Sequence, residues 1–158
     1  MRVGIFVDTT NLYRTVYRKY RGKLCYEEYF QQVVGEDEVV IAIAYGMQIG
    51  HTHSFENCLT MAGYTPKFKN PRIIEIQDVK IKKCDWGIGL TMDIVENIDS
   101  FDIVIIGSSD YNLLPLIQWL KAKGKEVRIV ASLIPRALKE IAECTEIPED
   151  WLELEDEE

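Results

Sequence analysis

The sequence predicts an α/β domain built as a three-layer sandwich with a mainly parallel central sheet. Short apolar runs alternate along the chain with segments whose apolar residues recur at helical spacing. The runs are apolar at consecutive positions, which is typical of strands buried on both faces. Strands that alternate with helices in this way pair in parallel and are covered by helices on both faces.

The spacing of apolar residues and the positions of two glycines identify the elements in the first part of the chain. Residues 2–7 and 39–46 are continuous apolar runs, and apolar residues recur every three or four positions in the segments between and after them. Gly35 and Gly63 supply the stops of two helices. In chain order, the predicted elements are a strand over 2–7, helices over 11–20 and 26–34, a strand over 39–46, and a helix over 54–62 with Ser54 as its cap.

The remainder of the chain begins with weaker signals and ends with clear ones. Two short strands are predicted at 66–69 and 73–80, where apolar and polar residues alternate loosely. Asp85 is well placed as a helix N-cap, and Pro135 suits a first helical turn. The other predicted elements are helices over 86–98, 111–123 and 135–144, and strands over 102–106, 126–131 and 151–154.

Length and composition favour one cytoplasmic domain. The chain has 158 residues, and no apolar run reaches the roughly 20 residues that span a bilayer. Asp8 interrupts the N-terminal apolar stretch, so no signal peptide is predicted. The four cysteines form no C-x-x-C pair, which favours reduced thiols over a zinc ribbon. No G-x-x-x-x-G-K-[ST] loop occurs, so no nucleotide cofactor is expected, and the lack of a long apolar run leads us to expect no membrane partner.

The net charge of −8 is concentrated at the C-terminal end. Seven acidic residues lie among the last ten, so the rest of the chain is nearly neutral. We therefore divide the chain into a domain over 1–148 and an acidic tail over 149–158. The tail is either a solvated end or a competitor of RNA phosphates for a basic surface.

Two carboxylates follow buried strands. Asp8 ends the first strand, and Asp110 follows the strand over 102–106. If these strands are neighbours, both carboxylates lie at the same edge of the sheet, where open α/β sheets bind their ligands. Adjacent acids repel, and a divalent cation such as Mg²⁺ or Mn²⁺ relieves that repulsion. Each acid alone could instead be only a helix N-cap.

Three blocks of sequence share their order with a known family. They read F-V-D-x-x-N-L from Phe6, K-K-C-D-W-G-I-G-L-T-M-D from Lys82, and G-S-S-D-Y-N-L-L-P-L from Gly107. Together they resemble the NYN domain family of the PIN-like nuclease superfamily, and within it the LabA-like group. The resemblance implies a PIN-like, Rossmann-like fold.

The same resemblance implies a Mg²⁺- or Mn²⁺-dependent endoribonuclease that hydrolyses RNA phosphodiesters. Carried over by position, Asp8 and Asp110 are the main metal ligands, and Asp93 binds directly or through water. Asn11 would orient Asp8 or a bound water, and Ser108 would hydrogen-bond near the metal or a phosphate. The implied catalytic set is Asp8, Asn11, Asp93, Ser108 and Asp110, and the implied metal set is Asp8, Asp85, Asp93, Asp110 and Asn112.

Two positions depart from the family pattern. Asn112 and Gly87 stand where the family has acids. Asp85, two residues before Gly87, replaces the second of these if its side chain points inward. A reduced acidic set also fits an alternative function, a catalytically weakened module that binds RNA or a protein partner in regulation. A phosphatase or phosphotransfer domain is a weaker alternative, because D-T-T-N stands where D-x-D-x-[TV] is expected.

Two basic stretches suggest how RNA could bind. Arg14 and Arg18 share one helix face, and tyrosines at 13, 17 and 20 either pack inward or offer rings to single-stranded bases. Lysines of a second stretch lead directly to Asp85. The predicted RNA-binding residues are Arg14, Arg18, Lys80, Lys82 and Lys83. RNA is the expected partner, and homodimer formation is a further expectation.

Overall fold

A six-stranded parallel sheet forms the centre of the protein in a computed structural model, which describes residues 1–50 and 53–154. The strands are β1 (Arg2–Asp8), β2 (Glu38–Met47), β3 (Thr65–Lys69), β4 (Arg72–Ile76), β5 (Val79–Lys83), β6 (Ile103–Gly107), β7 (Glu126–Ala131) and β8 (Glu143–Glu146). The sheet has the order β3-β2-β1-β6-β7-β8, and each of its adjacent pairs is parallel. The predicted fold class is therefore confirmed.

Helices flank this sheet, as the three-layer prediction requires. They are α1 (Thr9–Tyr20), α2 (Tyr26–Val34), α3 (His53–Ala62), α4 (Gly87–Glu96), α5 (Leu114–Ala122) and α6 (Arg136–Lys139). Because helices cover the sheet, every residue of β6 is buried, and Val3, Ile5, Phe6 and Val7 of β1 are inaccessible to solvent. Within residues 1–50 and 53–154, no helix is both long enough and apolar enough to cross a membrane.

The two central strands, β1 and β6, lie side by side. Their register pairs Val3 with Ile103 and Val7 with Gly107. The chain continues from β1 to β2 on one side and from β6 to β7 on the other, so the strand order reverses between β1 and β6. In open α/β sheets, such a reversal opens a crevice beyond the carboxyl ends of the strands. The residues that follow β1 and β6 therefore border this crevice.

The predicted strand over 73–80 is wrong. The segment contains the two antiparallel strands β4 and β5, which form a hairpin separate from the main sheet. Gln77 and Asp78 form its turn, with φ angles of 51° and 64°. A two-residue turn of this kind requires positive φ at both positions, and Asn-Gly or Asp-Gly is its usual signal. Gln-Asp is not one of these pairs, so the turn could not be predicted from the sequence.

The predicted helices over 135–144 and 111–123 are each shorter than expected. The first is reduced to α6, and the chain then extends as β8 to pair with β7. Glu146, at the end of β8, accepts hydrogen bonds from the backbone N–H groups of Leu133 and Ile134 at 2.9 and 3.0 Å, so tertiary contacts override the local helical pattern. The second begins with a 3₁₀ turn over Tyr111–Leu113 before α5.

Over residues 149–154, the C-terminal segment packs on the domain without forming a strand. The predicted strand over 151–154 is wrong, because only Leu152 pairs there, with Leu24, after a 3₁₀ turn over Glu149–Trp151. The Trp151 ring packs edge-on against Tyr29 at a centroid distance of 5.9 Å. The beginning of the acidic tail is thus attached to the domain, while residues 155–158 lie outside the described residues.

Candidate active site

Asp8 stands at the junction of β1 and α1 and caps the helix. Its Oδ1 accepts hydrogen bonds from the Thr10 N–H at 3.1 Å, the Thr10 hydroxyl at 2.7 Å and the Asn11 N–H at 3.2 Å. Burial raises the pKa of the Asp8 carboxyl, these hydrogen bonds lower it in part, and the nearby charge of Asp85 raises it further. The ionised form of Asp8 is therefore less stable here than that of a solvent-exposed aspartate.

Asp110 occupies the equivalent position after β6. Its Oδ1 accepts a hydrogen bond from the Asn112 N–H at 2.9 Å, so it caps the following 3₁₀ turn. The hydroxyl of Ser108, which is 1% exposed, accepts a hydrogen bond from the Asp110 N–H at 3.2 Å. Ser108 thus stabilises the loop that carries Asp110. Asn112 contacts Asp110 through its backbone N–H group. Asp8 and Asp110 are both caps and both border the crevice.

Asp85 points toward the other two acids. Its Oδ1 accepts a hydrogen bond from the Gly87 N–H at 2.8 Å, although the N-cap of α4 is Trp86 rather than the predicted Asp85. A Cβ atom built on Gly87 would lie 3.2 Å from Asp85 Oδ1 and 3.8 Å from Asp110 Oδ2. The family's acidic position, here Gly87, therefore faces the gap between these two carboxylates.

A cleft of about 620 Å³ brings acidic and basic side chains together. Its acids are Asp8, Asp85 and Asp110, and its bases are Arg14, Arg18, Lys82 and Lys83. Lys80 is exposed on β5 opposite Glu75 and does not belong to the described lining. Four of the five predicted RNA-binding residues thus line the same cleft as three of the predicted metal ligands.

Comparison with known protein families assigns the chain to one of them. Residues 2–148 match the model of the NYN domain. The chain belongs to the NYN domain family. This family is a branch of the PIN-like nuclease superfamily. The LabA-like group stays a prediction, since the match extends to the family as a whole.

The NYN domain also resembles a solved structure over almost its full length. A Vibrio parahaemolyticus protein of unknown function is 27% identical in sequence and superimposes with a TM-score of 0.85. The alignment covers 96% of this chain and 95% of that protein. No functionally curated protein matches the chain. The comparisons therefore establish the family and the fold, and the activity has to be argued from the site.

Asp93 of the NYN domain lies on α4 and already has two partners. Its Oδ2 accepts hydrogen bonds from the Tyr45 hydroxyl and from Lys67 Nζ, both at 2.8 Å. Burial and the contact with Asp93 raise the pKa of the Tyr45 phenol, which keeps its proton for this bond. Asp93 does not belong to the described lining of the cleft. Its negative charge is offset by Lys67 rather than directed at Asp8, Asp85 or Asp110.

The acids of the cleft suit a metal ion that keeps most of its water. Within residues 1–50 and 53–154, no three His, Cys, Asp or Glu side chains are grouped closely enough to hold a metal by themselves. Mg²⁺, however, usually binds through one or two carboxylates and retains several waters. In Asp8, Asp85 and Asp110, Oδ1 accepts a hydrogen bond from a backbone N–H group, and Oδ2 accepts none from the described residues. This donor set fits a hydrated divalent cation.

Two polar residues beside the acids, Thr10 and Ser109, were assigned no role from the sequence. The Thr10 hydroxyl holds Asp8, and Ser109 bonds to Asn11, so both help to position the carboxylates. Thr10 lies within the block of the family resemblance that starts at Phe6, and Ser109 lies within the block that starts at Gly107. Their position next to Asp8 and Asp110 was the available signal, but their partners become visible only once β1 and β6 are adjacent.

Proposed function

We propose that this NYN domain is a Mg²⁺- or Mn²⁺-dependent endoribonuclease. The observation that carries the proposal is the cleft itself, in which three carboxylates with available oxygens face four basic side chains at the strand-order reversal. RNA hydrolysis requires both the acidic and the basic side chains. The basic side chains bind the anionic RNA backbone, and the carboxylates hold a cation beside the reacting phosphate.

The acidic and the basic residues of the cleft would have different roles. One or two of Asp8, Asp85 and Asp110 would bind the cation directly, and the remaining acid, like Asp93, would act on it at most through water. When bound, the cation would lower the pKa of a water molecule and neutralise charge on the scissile phosphate. Basic side chains on both sides of the cleft would bind the neighbouring backbone phosphates; they are Arg14, Arg18, Lys82 and Lys83. Asn11 and Ser109 would keep the two acidic loops together.

A second function is favoured by two specific observations. Gly87 and Asn112 lack the acids expected of the family, and no described group of three ligands is ready to hold a metal. Metal affinity rises with the number of anionic ligands, so each missing charge weakens the site. The alternative is therefore an NYN module that binds RNA or a protein partner without cleaving RNA. Cytoplasmic location and homodimer formation stay predictions from the sequence.

One experiment separates these functions. Mn²⁺ binding is measured by calorimetry on the wild type and on the Asp8→Asn/Asp110→Asn double variant, and cleavage of a mixed RNA pool is followed on the same samples. Asp102→Asn is the matched control, because Asp102 pairs with Arg2 at 3.1 Å and lies outside the described lining of the cleft.

The results lead to three clear conclusions. Metal binding and cleavage that are both present in the wild type and Asp102→Asn, and both lost in the double variant, support the nuclease. Metal binding without cleavage supports the binding module. Absence of Mn²⁺ binding in the wild type contradicts the metal site.

A further inference from the structure

A second pocket, of about 500 Å³, adjoins the acidic cleft and differs from it in character. Most of its surface is apolar, and four aromatic side chains contribute to it: Tyr13, Tyr26, Phe55 and Phe68. We infer that this pocket binds one unstacked nucleobase of a single-stranded RNA whose backbone lies in the cleft. The inference rests on the proposed function and adds a base-recognition subsite to it.

The aromatic wall of the pocket is built into the fold. The Phe55 ring lies between Tyr26 and Phe68, with centroid distances of 5.4 and 5.8 Å. Phe68 in turn packs against Gly46, where a Cβ atom would come within 2.4 Å of the Phe68 ring. Only a glycine at this position lets the ring lie so close to β2. The wall is therefore held in place before any ligand binds.

Tyr13 differs from the other three rings because it is exposed. Its side chain is 56% accessible, and its ring is stacked on that of Tyr17 with an interplanar angle of 10° and a centroid distance of 6.3 Å. Tyr17 does not belong to the described lining of the pocket. The Tyr20 hydroxyl, by contrast, donates to the Ile147 carbonyl at 2.8 Å. Of the three tyrosines on this helix, Tyr13 is thus the one placed to cover a base.

The pocket and the cleft share part of their lining. Thr10 and Met47 line both cavities, and the Thr10 hydroxyl donates directly to Asp8. A nucleotide whose phosphate lies beside Asp8 can therefore extend its base past Thr10 into the aromatic pocket. A base suits such a pocket because each base has a flat π-face that stacks on aromatic rings.

Polar groups of the pocket favour a nucleobase over an aliphatic side chain. Lys23 and Glu153 both contribute to its lining, and the Glu153 N–H donates to the Lys23 carbonyl at 2.7 Å, which holds the two segments together. An ammonium group and a carboxylate supply a donor and an acceptor for the edge of a base. An aliphatic ligand would leave both groups without a function. The four basic side chains of the adjoining cleft complete a site for a nucleotide rather than for an apolar peptide.

The test measures how much one base contributes to binding. A short fluorescent single-stranded RNA, and versions of it with an abasic site at each position in turn, are titrated in Mg²⁺ and followed by fluorescence anisotropy. The Asp110→Asn protein is used alongside the wild type so that the RNA stays intact. We expect one position at which loss of the base weakens binding roughly 5- to 150-fold, which corresponds to one stacked base.

Three variants, made in the Asp110→Asn protein, assign this effect to the pocket. Tyr13→Ala should remove most of the penalty at that position, and Tyr13→Phe, which keeps the ring, should retain it. Tyr17→Ala is the control, because it removes another exposed tyrosine ring from the same helix, outside the described lining. Both positions are on the surface, so circular dichroism should show unchanged folding.

Failure of the pocket inference and failure of the proposed function would give different results. If intact RNA binds but no single base matters, or if Tyr13→Ala keeps the full penalty, the pocket inference is overturned and the proposed cleft function stands. If neither the wild type nor Asp110→Asn binds intact RNA, the proposed function fails and the inference fails with it.

Discussion

Asn11 and Ser109 are joined by two hydrogen bonds across a separation of 98 residues. The Asn11 side-chain Oδ1 accepts from the Ser109 N–H at 3.0 Å and from its hydroxyl at 3.3 Å, and both residues are buried. Asn11 follows Asp8, and Ser109 precedes Asp110, so this contact ties together the two loops that carry the central acids. It also explains why an amide is suited to this position, since a carboxylate would be buried beside Asp8.

Loss of this contact should destabilise the domain. We expect Asn11→Ala to lower the free energy of unfolding by about 1–3 kcal/mol, because the buried Ser109 N–H loses its acceptor. Urea denaturation followed by circular dichroism measures the change. Arg14→Ala, on the exposed face of the same helix, is the control and should alter stability much less. An equal loss in both variants would contradict the linking role of Asn11.

The pH dependence of stability should distinguish Asp8 from Asp102. Burial raises the folded-state pKa of Asp8, so stability falls as pH rises from its unfolded-state pKa through the folded-state value. Without metal, Asp8→Asn should therefore be more stable than the wild type at neutral pH, and this gain should disappear in acid. The Asn side chain retains a capping oxygen.

The contrasting case is Asp102, whose pKa is lowered by hydrogen bonds from Arg2. Its contribution is present above the unfolded-state pKa and is lost as pH falls through the folded-state value. Asp102→Asn should thus destabilise the protein at neutral pH and not in strong acid. Thermal melts across the acidic and neutral range, with a chelator present, test both signs. A stabilising Asp102→Asn or a destabilising Asp8→Asn at neutral pH would overturn this account.

Restoring the missing family acid should strengthen the metal site. The side chain of Gly87→Asp would start 3.2 Å from Asp85 Oδ1 and 3.8 Å from Asp110 Oδ2, so its charge would add to theirs. We expect Mn²⁺ affinity to rise about tenfold and stability without metal to fall through repulsion. Gly87→Asn has nearly the same size without the charge and serves as the control. Equal affinities in the two variants would show that charge at this position does not reach the metal.

Asp93 should contribute less to metal binding than Asp8 or Asp110. Its carboxylate is engaged by Lys67 and Tyr45, so a cation in the cleft gains little from it. Calorimetry should therefore show a smaller loss of Mn²⁺ affinity for Asp93→Asn than for Asp110→Asn. A comparable loss would place Asp93 among the ligands and would require Lys67 to release it.

The lysines of the hairpin should differ in their contribution to RNA binding. Lys82 and Lys83 line the cleft, so Lys82→Gln/Lys83→Gln should reduce the salt dependence of log affinity for single-stranded RNA by about 1.4 units of slope. Lys80→Gln should have a smaller effect than either single lysine of the cleft. If Lys80→Gln changes the slope equally, the RNA follows the whole hairpin rather than the cleft alone.

The elements that the sequence missed depend on distant partners or unusual turns. The bounds of α2 agree with prediction because its period and the Gly35 stop are local signals. The hairpin of β4 and β5 was missed because Gln77 and Asp78 adopt positive φ without a glycine. β8 was missed because the segment Glu143–Glu146 becomes a strand only by pairing with β7.

The amino-acid sequence by itself determined the fold class, the family and the two central acids. These follow from local period and motif order, which do not require knowledge of the packing. Tertiary structure alone decided that Asp85 and Gly87 face Asp110, that Lys67 neutralises Asp93, and that Tyr13 shares a pocket with three aromatic residues from separate segments. The physical reason is that each of these relationships depends on the distance and direction of side chains, which arise only when the sheet and the hairpin assemble.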